Sequence, residues 1–227
     1  VVLLWNSGSI YDNIDIAKDY FNTLSLKYND NCNIIYEIAN EPFGTNQWNE
    51  IKNYSNEIIQ TIRTNSKENI IIIPSPDYDV SPNLIKLNEL KETKNIMVAQ
   101  HLYVGEQLTA KNINNIQEAI NNNVPIFVTE WGTTMGNGND GFYEECFNSF
   151  VKFMNNNELS WCNFQITDMN FQVGYGKGTE EYSGIVQHNK WNNSLSDDIL
   201  TASGKYIKSI LLNNCSSYNN GDYAIMT

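Results

Sequence analysis

Six short apolar runs, Val1–Trp5, Ile34–Asn40, Ile70–Pro74, Ile96–Tyr103, Pro125–Trp131 and Ser160–Thr167, alternate with longer stretches in which apolar residues recur every three or four positions. No other feature constrains the fold as strongly. The runs are strand-length and nearly continuous in Val, Ile and Leu, which marks strands buried on both faces. Between them, Ile16, Tyr20, Leu24 and Tyr28 share one helical face, as do Trp48, Ile51, Ile58 and Ile62. Ile113, Ile116 and Ile120 form a third stripe, and Phe147, Phe150, Val151 and Met154 a fourth. Asp12 or Asn13, Thr45 or Asn46, Thr109 and Asp140 are good N-cap residues for these helices. "SDDILTASGKYIKSILL" reads as a last helix, weakened by Gly204. Strand and helix in strict alternation predict an α/β fold, a parallel sheet covered by helices. With 227 residues, 41% of them hydrophobic, the chain can bury one sizeable core, and a single domain is expected.

Two architectures fit this alternation, a doubly wound open sheet and a (β/α)₈ barrel. No G-x-G-x-x-G follows the first run, which counts against dinucleotide binding. In barrels the chemistry sits at the carboxyl ends of the strands. Polar groups cluster there: Asn6 after the first run, Asn40 and Glu41 at the second, His101 and Tyr103 in the fourth, Glu130 in the fifth, Asp168 after the sixth. The run "IIYEIANEPF" puts the carboxylate of Glu41 where a buried strand stops. An ordinary turn is one reading, since Asn and Pro favour turns. A general acid at a barrel mouth is the other. Glu130, in "TEWG", ends a second strand the same way. Two carboxylates facing one cavity can cleave a glycosidic bond, one donating a proton and the other attacking the anomeric carbon or activating water.

Composition removes other classes. The net charge of −12 argues against nucleic acid as a partner, which needs a basic face. No run of 18 apolar residues exists to span a membrane. The four cysteines, Cys32, Cys146, Cys162 and Cys215, form no C-x-x-C pair, and the two histidines, His101 and His188, are far apart in sequence, so no structural zinc site is expected.

"IIYEIANEP", "AQHLY", "PIFVTEWGTT", "SWCNF" and "LTASGKYIKSIL" together resemble glycoside hydrolase family five, especially its secreted endo-β-1,4-glucanases. The resemblance implies a TIM barrel, entered at its third strand. The third to eighth βα units would then occupy residues 1–213, with 214–227 a polar tail or linker to a binding or docking module. It implies that Glu41 is the general acid/base and Glu130 the nucleophile of a retaining endo-β-1,4-glucanase. Asn40 would hold the sugar 2-hydroxyl, while His101 and Tyr103 form the H-x-Y pair near the nucleophile. The strand period places those two side chains on one face. Tyr78, in "SPDYDVSP", matches a loop position that carries a sugar-stacking tryptophan in the family. Three positions depart from the family pattern: Asn6 replaces a histidine, Phe164 a stacking tryptophan and Met169 a sugar-binding lysine. Trp161 is expected in the core. The implied substrate is a β-1,4-linked glucan polymer or oligomer, with mannan or mixed-linkage β-glucan as alternatives. No metal or organic cofactor is implied, and the protein is expected to be secreted. The rival reading is an inactive fragment or glycan-binding remnant, which the three departures and the first two absent βα units favour.

Overall fold

The computed structural model describes residues 1–217 apart from 7–9, 11–12, 30, 44–46, 137–140, 168–183, 188–189 and 192–194. Asp12, Thr45, Asn46, Asp140, Asp168, Met169 and His188 therefore lie outside the described residues, as do 218–227 of the tail. Among the described residues six strands, β1 (Val2–Leu4), β2 (Ile35–Glu37), β3 (Ile70–Ile73), β4 (Ile96–Tyr103), β5 (Ile126–Gly132) and β6 (Ser160–Asn163), follow one another in the sheet in chain order. The longer helices between and after them are α1 (Ile14–Lys27), α2 (Gln47–Asn65), α3 (Ala110–Asn121), α4 (Glu144–Asn156) and α5 (Ala202–Ser217). Parallel neighbours in sequential order, joined by helical crossovers, are the (β/α)-barrel pattern, with six of the eight strands that close a TIM barrel.

The chain divides into two compact units. The first comprises Val1–His101 and Ala110–Thr129, the second Leu102–Thr109 and Glu130–Thr227. Both β4 and β5 thus begin in the first unit and end in the second.

In the first unit β1, β2, β3 and the start of β4 pair in parallel, with Leu4 opposite Glu37, Glu37 opposite Ile72, and Ile73 opposite Val98. The Val98 N–H donates to the Pro125 carbonyl just before β5, at 2.8 Å. The four isoleucines of β3 have no polar alternation because the strand is covered on both sides. Helix α2 buries Ile51, Tyr54, Ile58, Ile59 and Ile62. Each such isoleucine contributes about 1.5–3 kcal/mol by leaving water. Helix α1 turns inward a face centred one residue along from its sequence stripe: Ala17, Phe21 and Ser25 are buried and Tyr20, Leu24 and Tyr28 half-buried, whereas Ile16 is 58% exposed. The reason is its neighbour. Ser25 accepts a hydrogen bond from Asn65 Nδ2 of α2 at 3.0 Å, and Phe21 meets Tyr36 of β2 edge-on. Ala17 and Ser25 are small, Phe21 packs on Tyr36, and Ile16 is left exposed. At the end of α2, Arg63 donates to the carbonyls of Ser66, Asn69 and Lys94, tying the loops that lead into β3 and β4.

In the second unit the Phe164 N–H donates to the Trp131 carbonyl, joining the end of β6 to β5 at 2.9 Å. Trp131 is fully buried, against Phe150 of α4 and against Trp161, which is itself half-buried where the sequence places it in the core. Phe147, Phe150, Val151 and Met154 are buried, the face their spacing predicts. Gly204 lies in the first turn of α5 rather than mid-helix, and it is there for packing. A Cβ at this position would sit 2.0 Å from the Ile185 carbonyl oxygen. That helix continues to Ser217, past the position where the sequence places the start of the tail.

Candidate active site

Strand β2 ends at Glu37, before Asn40 and Glu41. The intervening residues remain tied to their neighbours: the Ile38 N–H donates to Ile72, and its carbonyl accepts from the buried Tyr54 hydroxyl at 2.7 Å. Burial pushes that phenol up from its ordinary range. The chain then turns sharply at Glu41, whose φ is 47°. This left-handed conformation is uncommon for a residue with a side chain.

Its partner is a second left-handed turn. Beyond β3, Asp77, Tyr78 and Asp79 have φ of 59°, 61° and 60°. This turn brings the Asp79 carboxyl back under Glu41. Oδ2 accepts the Glu41 N–H at 2.7 Å, and Oδ1 accepts the Ser75 N–H at 2.5 Å. The Tyr78 N–H donates to the Pro42 carbonyl, closing the two turns on each other. Asp79 is fully buried. Burial pushes its carboxyl up to about 7, against the opposing pull of His101 and the two backbone N–H groups.

His101, at the end of this unit's share of β4, is buried. Its Nδ1 lies 2.9 Å from Glu41 Oε1, and its Nε2 lies 3.1 Å from Thr129 Oγ1 and 3.9 Å from Asp79 Oδ2. A proton on Nε2 would face two oxygens and leave Nδ1 as the acceptor for a protonated Glu41. Tyr78 is exposed, and its ring stacks on Phe43 at 5.4 Å and 9°. Asn40 is half-buried beside Glu41, and Asn6 is exposed just beyond β1.

The second unit carries a cluster of its own. The Tyr103 hydroxyl donates to Glu130 Oε1. The Tyr103 backbone is fixed by Gln107, whose side-chain oxygen accepts the Tyr103 N–H at 2.7 Å and whose own N–H returns to the Tyr103 carbonyl. Phe164 meets the Tyr103 ring edge-on, with centroids 6.4 Å apart. A phenol on a carboxylate orients it and stabilises its charge, which suits a nucleophile.

Of the residues singled out from sequence, the structure thus joins Glu41 with His101 in one cluster and Tyr103 with Glu130 and Phe164 in the other. Sequence reasoning missed Asp79, Thr129, Gln107 and Phe43. Asp79 had a signal, a carboxylate between Ser75-Pro76 and Ser81-Pro82 just after a buried strand, but a turn explains that string equally well. Within neither unit taken by itself, among the described residues, do three His, Cys, Asp or Glu side chains converge closely enough to hold a metal ion.

The family description "Cellulase (glycosyl hydrolase family 5)" matches residues 3–170. The chain belongs to glycosyl hydrolase family 5. Among its relatives in that family, "Cellulase CelDZ1" of Thermoanaerobacterium sp is 34% identical over 68% of this chain and 43% of its own length. "Endoglucanase Z" of Dickeya dadantii is 31% identical over 92% of this chain and 45% of its own. The chain therefore spans under half the length of these two curated relatives. Among solved structures, one from Cytophaga hutchinsonii superposes with a TM-score of 0.83 at 28% identity, covering 96% of this chain and 69% of that one. The catalytic domain of Thermobifida fusca endoglucanase Cel5A, in complex with cellotetraose, superposes with a TM-score of 0.81 at 25% identity, covering 93% and 69%.

Proposed function

We infer that this chain is the catalytic part of a secreted endo-β-1,4-glucanase that cleaves its substrate with retention, using Glu41 and Glu130. The observation that carries this reading is the difference between the two carboxyls' surroundings. Glu41 contacts an imidazole that can exchange a proton with it, whereas Glu130 receives a phenol hydrogen bond. These are the environments of an acid/base and of a nucleophile. In the first step Glu41 gives its proton to the leaving glycosidic oxygen as Glu130 attacks the anomeric carbon, forming a glycosyl-enzyme ester. In the second, Glu41 takes a proton from water, which displaces the sugar from Glu130. Asn40, Asn6 and Phe164 would contact the sugar. The exposed Phe43–Tyr78 pair offers it a flat aromatic face, suited to the apolar face of a pyranose.

Cellotetraose in the Thermobifida fusca relative supports a β-1,4-glucan over mannan or mixed-linkage glucan. A polymer of this kind cannot enter a cell intact, so the work is done outside it. The retaining reading requires the two carboxyl groups to stand roughly 5–5.5 Å apart.

The test is trapping with a 2-deoxy-2-fluoro-β-cellobioside carrying a good leaving group. The expected result is one added disaccharide on the peptide containing Glu130, absent in Glu130→Gln. A label elsewhere, or inversion at the anomeric centre by NMR, overturns the assignment. The departures at Asn6 and Phe164 favour a second reading, a glycan-binding remnant. Cello-oligosaccharide binding by calorimetry without Glu130-dependent release of reducing ends would establish that reading instead.

A further inference from the structure

Asp79 has no part in the chemistry above, yet it is a fully buried acid in contact with the proposed acid/base. We propose that Asp79 is the positioning residue for Glu41: its carboxyl clamps the Glu41 backbone in the left-handed conformation and faces the far nitrogen of the imidazole that touches the Glu41 carboxyl. This rests on the reading of Glu41 as the acid/base.

A left-handed residue with a side chain costs on the order of 1 kcal/mol or more and persists only where its surroundings over-determine it. Here the restraint is one carboxyl group whose oxygens divide between two backbones. Oδ1 anchors on Ser75 at the end of β3, and Oδ2 takes the N–H of Glu41 itself. The same Oδ2 faces His101 Nε2 at 3.9 Å. Asp79 therefore reaches the acid from two sides, through the main chain directly and through the ring to the carboxyl. An oxygen lone pair on the Nε2 side favours a proton there, which leaves Nδ1 bare to accept from Glu41. The other ionisable groups around Asp79 are His101, Glu41 and, from β2, Glu37. A buried acid could merely hold a loop. It would then affect all substrates alike. A residue that aims the acid must matter in proportion to how much the leaving group needs a proton.

The experiment compares kcat/KM on cellotetraose, whose leaving group needs protonation, and on 2,4-dinitrophenyl β-cellobioside, whose leaving group does not. Asp79→Asn keeps the shape but can accept only one of the two backbone hydrogens. Its expected loss is about 10-fold or more on cellotetraose and under about 3-fold on the aryl glycoside, milder than the roughly 10²-fold or greater loss expected of Glu41→Gln on cellotetraose. Equal losses on the two substrates, or none, overturn the proposal while Glu41→Gln still shows the selective pattern. If Glu41→Gln itself loses both activities alike, the acid assignment falls, and this proposal with it.

A second measurement needs neither turnover nor a folded variant. In the ¹⁵N-labelled wild-type chain, the Glu41 amide proton should lie downfield of the ordinary range and exchange slowly. His101, one of only two histidines, should carry its ring proton on Nε2. A fast-exchanging Glu41 amide at an ordinary shift, or a neutral His101 ring protonated on Nδ1, overturns the proposal.

Discussion

Replacing Asp79 with Asn should change stability in a direction that reverses with pH. Burial raises the Asp79 carboxyl from 3.8 to about 7. The native state thus holds this proton more tightly than the unfolded chain, and stability is lost as pH rises between those two values. Below about pH 3 both states are protonated and the contribution is fully present. Above about pH 7 both are ionised and it is gone. At about 1.36 kcal/mol per pH unit, the interval from 3.8 to about 7 amounts to about 4 kcal/mol. Asn has no such dependence. It does lose one of the two backbone hydrogen bonds at 2.5 and 2.7 Å, which costs about 1 kcal/mol at any pH.

The wild type should therefore be more stable than Asp79→Asn by about 1 kcal/mol at pH 3, and less stable by about 3 kcal/mol at pH 8. The two curves should cross between about pH 4 and 5. Urea denaturation of both proteins at constant ionic strength, from pH 3 to 8, measures the difference while other titrating groups largely cancel. A difference that stays flat, or that grows in favour of the wild type as pH rises, would refute the reasoning. It would mean that His101 and the two N–H donors hold Asp79 ionised throughout.

Four further outcomes are expected. Gly204→Ala should lower stability by about 1–3 kcal/mol in urea although alanine is the better helix former, because its Cβ would meet the Ile185 carbonyl at 2.0 Å. Arg63→Met should cost about 3 kcal/mol through the three carbonyls it abandons, with kcat per folded molecule unchanged in the same samples. Tyr103→Phe removes the hydrogen bond to Glu130 and should lower kcat by roughly 10²-fold, with an unaltered thermal midpoint. Phe164→Trp should tighten cello-oligosaccharide binding several-fold by calorimetry, since indole offers more stacking surface; unchanged affinity would remove Phe164 from the sugar site.

The layered fold was legible because burial on both faces writes itself into a strand as a continuous apolar run. Ile70–Ile73 and Ile96–Tyr103 begin where the runs begin, and the latter ends there too. The second and sixth runs extend beyond their strands, which end at Glu37 and Asn163. Residues past the end of a strand can stay buried, as Ile38 and Ala39 do, and Ile38 still donates to Ile72, so hydrophobicity alone does not mark the stop. Helix α1 is rotated by about one residue from its stripe. The centre of its buried face includes Ser25, buried where it accepts a hydrogen bond from Asn65, and a count of apolar spacings passes over such a residue. Of the proposed catalytic and binding residues, Glu41, His101, Tyr103 and Glu130 stood out because each lies near the end of, or just after, a run that is otherwise apolar.

The support beneath Glu41 was illegible because it depends on backbone conformation that the residue types do not announce. Left-handed positions are ordinarily signalled by Gly or Asn. Here they are taken by Glu41, Asp77, Tyr78 and Asp79, and only the two aspartates have any preference for that region. Glycine at position 41 would relieve the strain and delete the carboxyl, and glycine at 78 would delete a ring that stacks on Phe43. Each non-glycine residue is retained where its side chain has a task, at an order of 1 kcal/mol or more of conformational free energy per position. Asp79 offsets that cost locally, since one carboxyl accepts an N–H from each of the segments it joins. A chain that places an acid on a strained turn needs a second buried group to hold the turn. The group that holds it best, a carboxylate with two acceptor oxygens, is also the one whose own burial penalises the folded state as pH rises. The support of the proposed acid and the pH-sensitive weak point of the first unit are thus the same few residues.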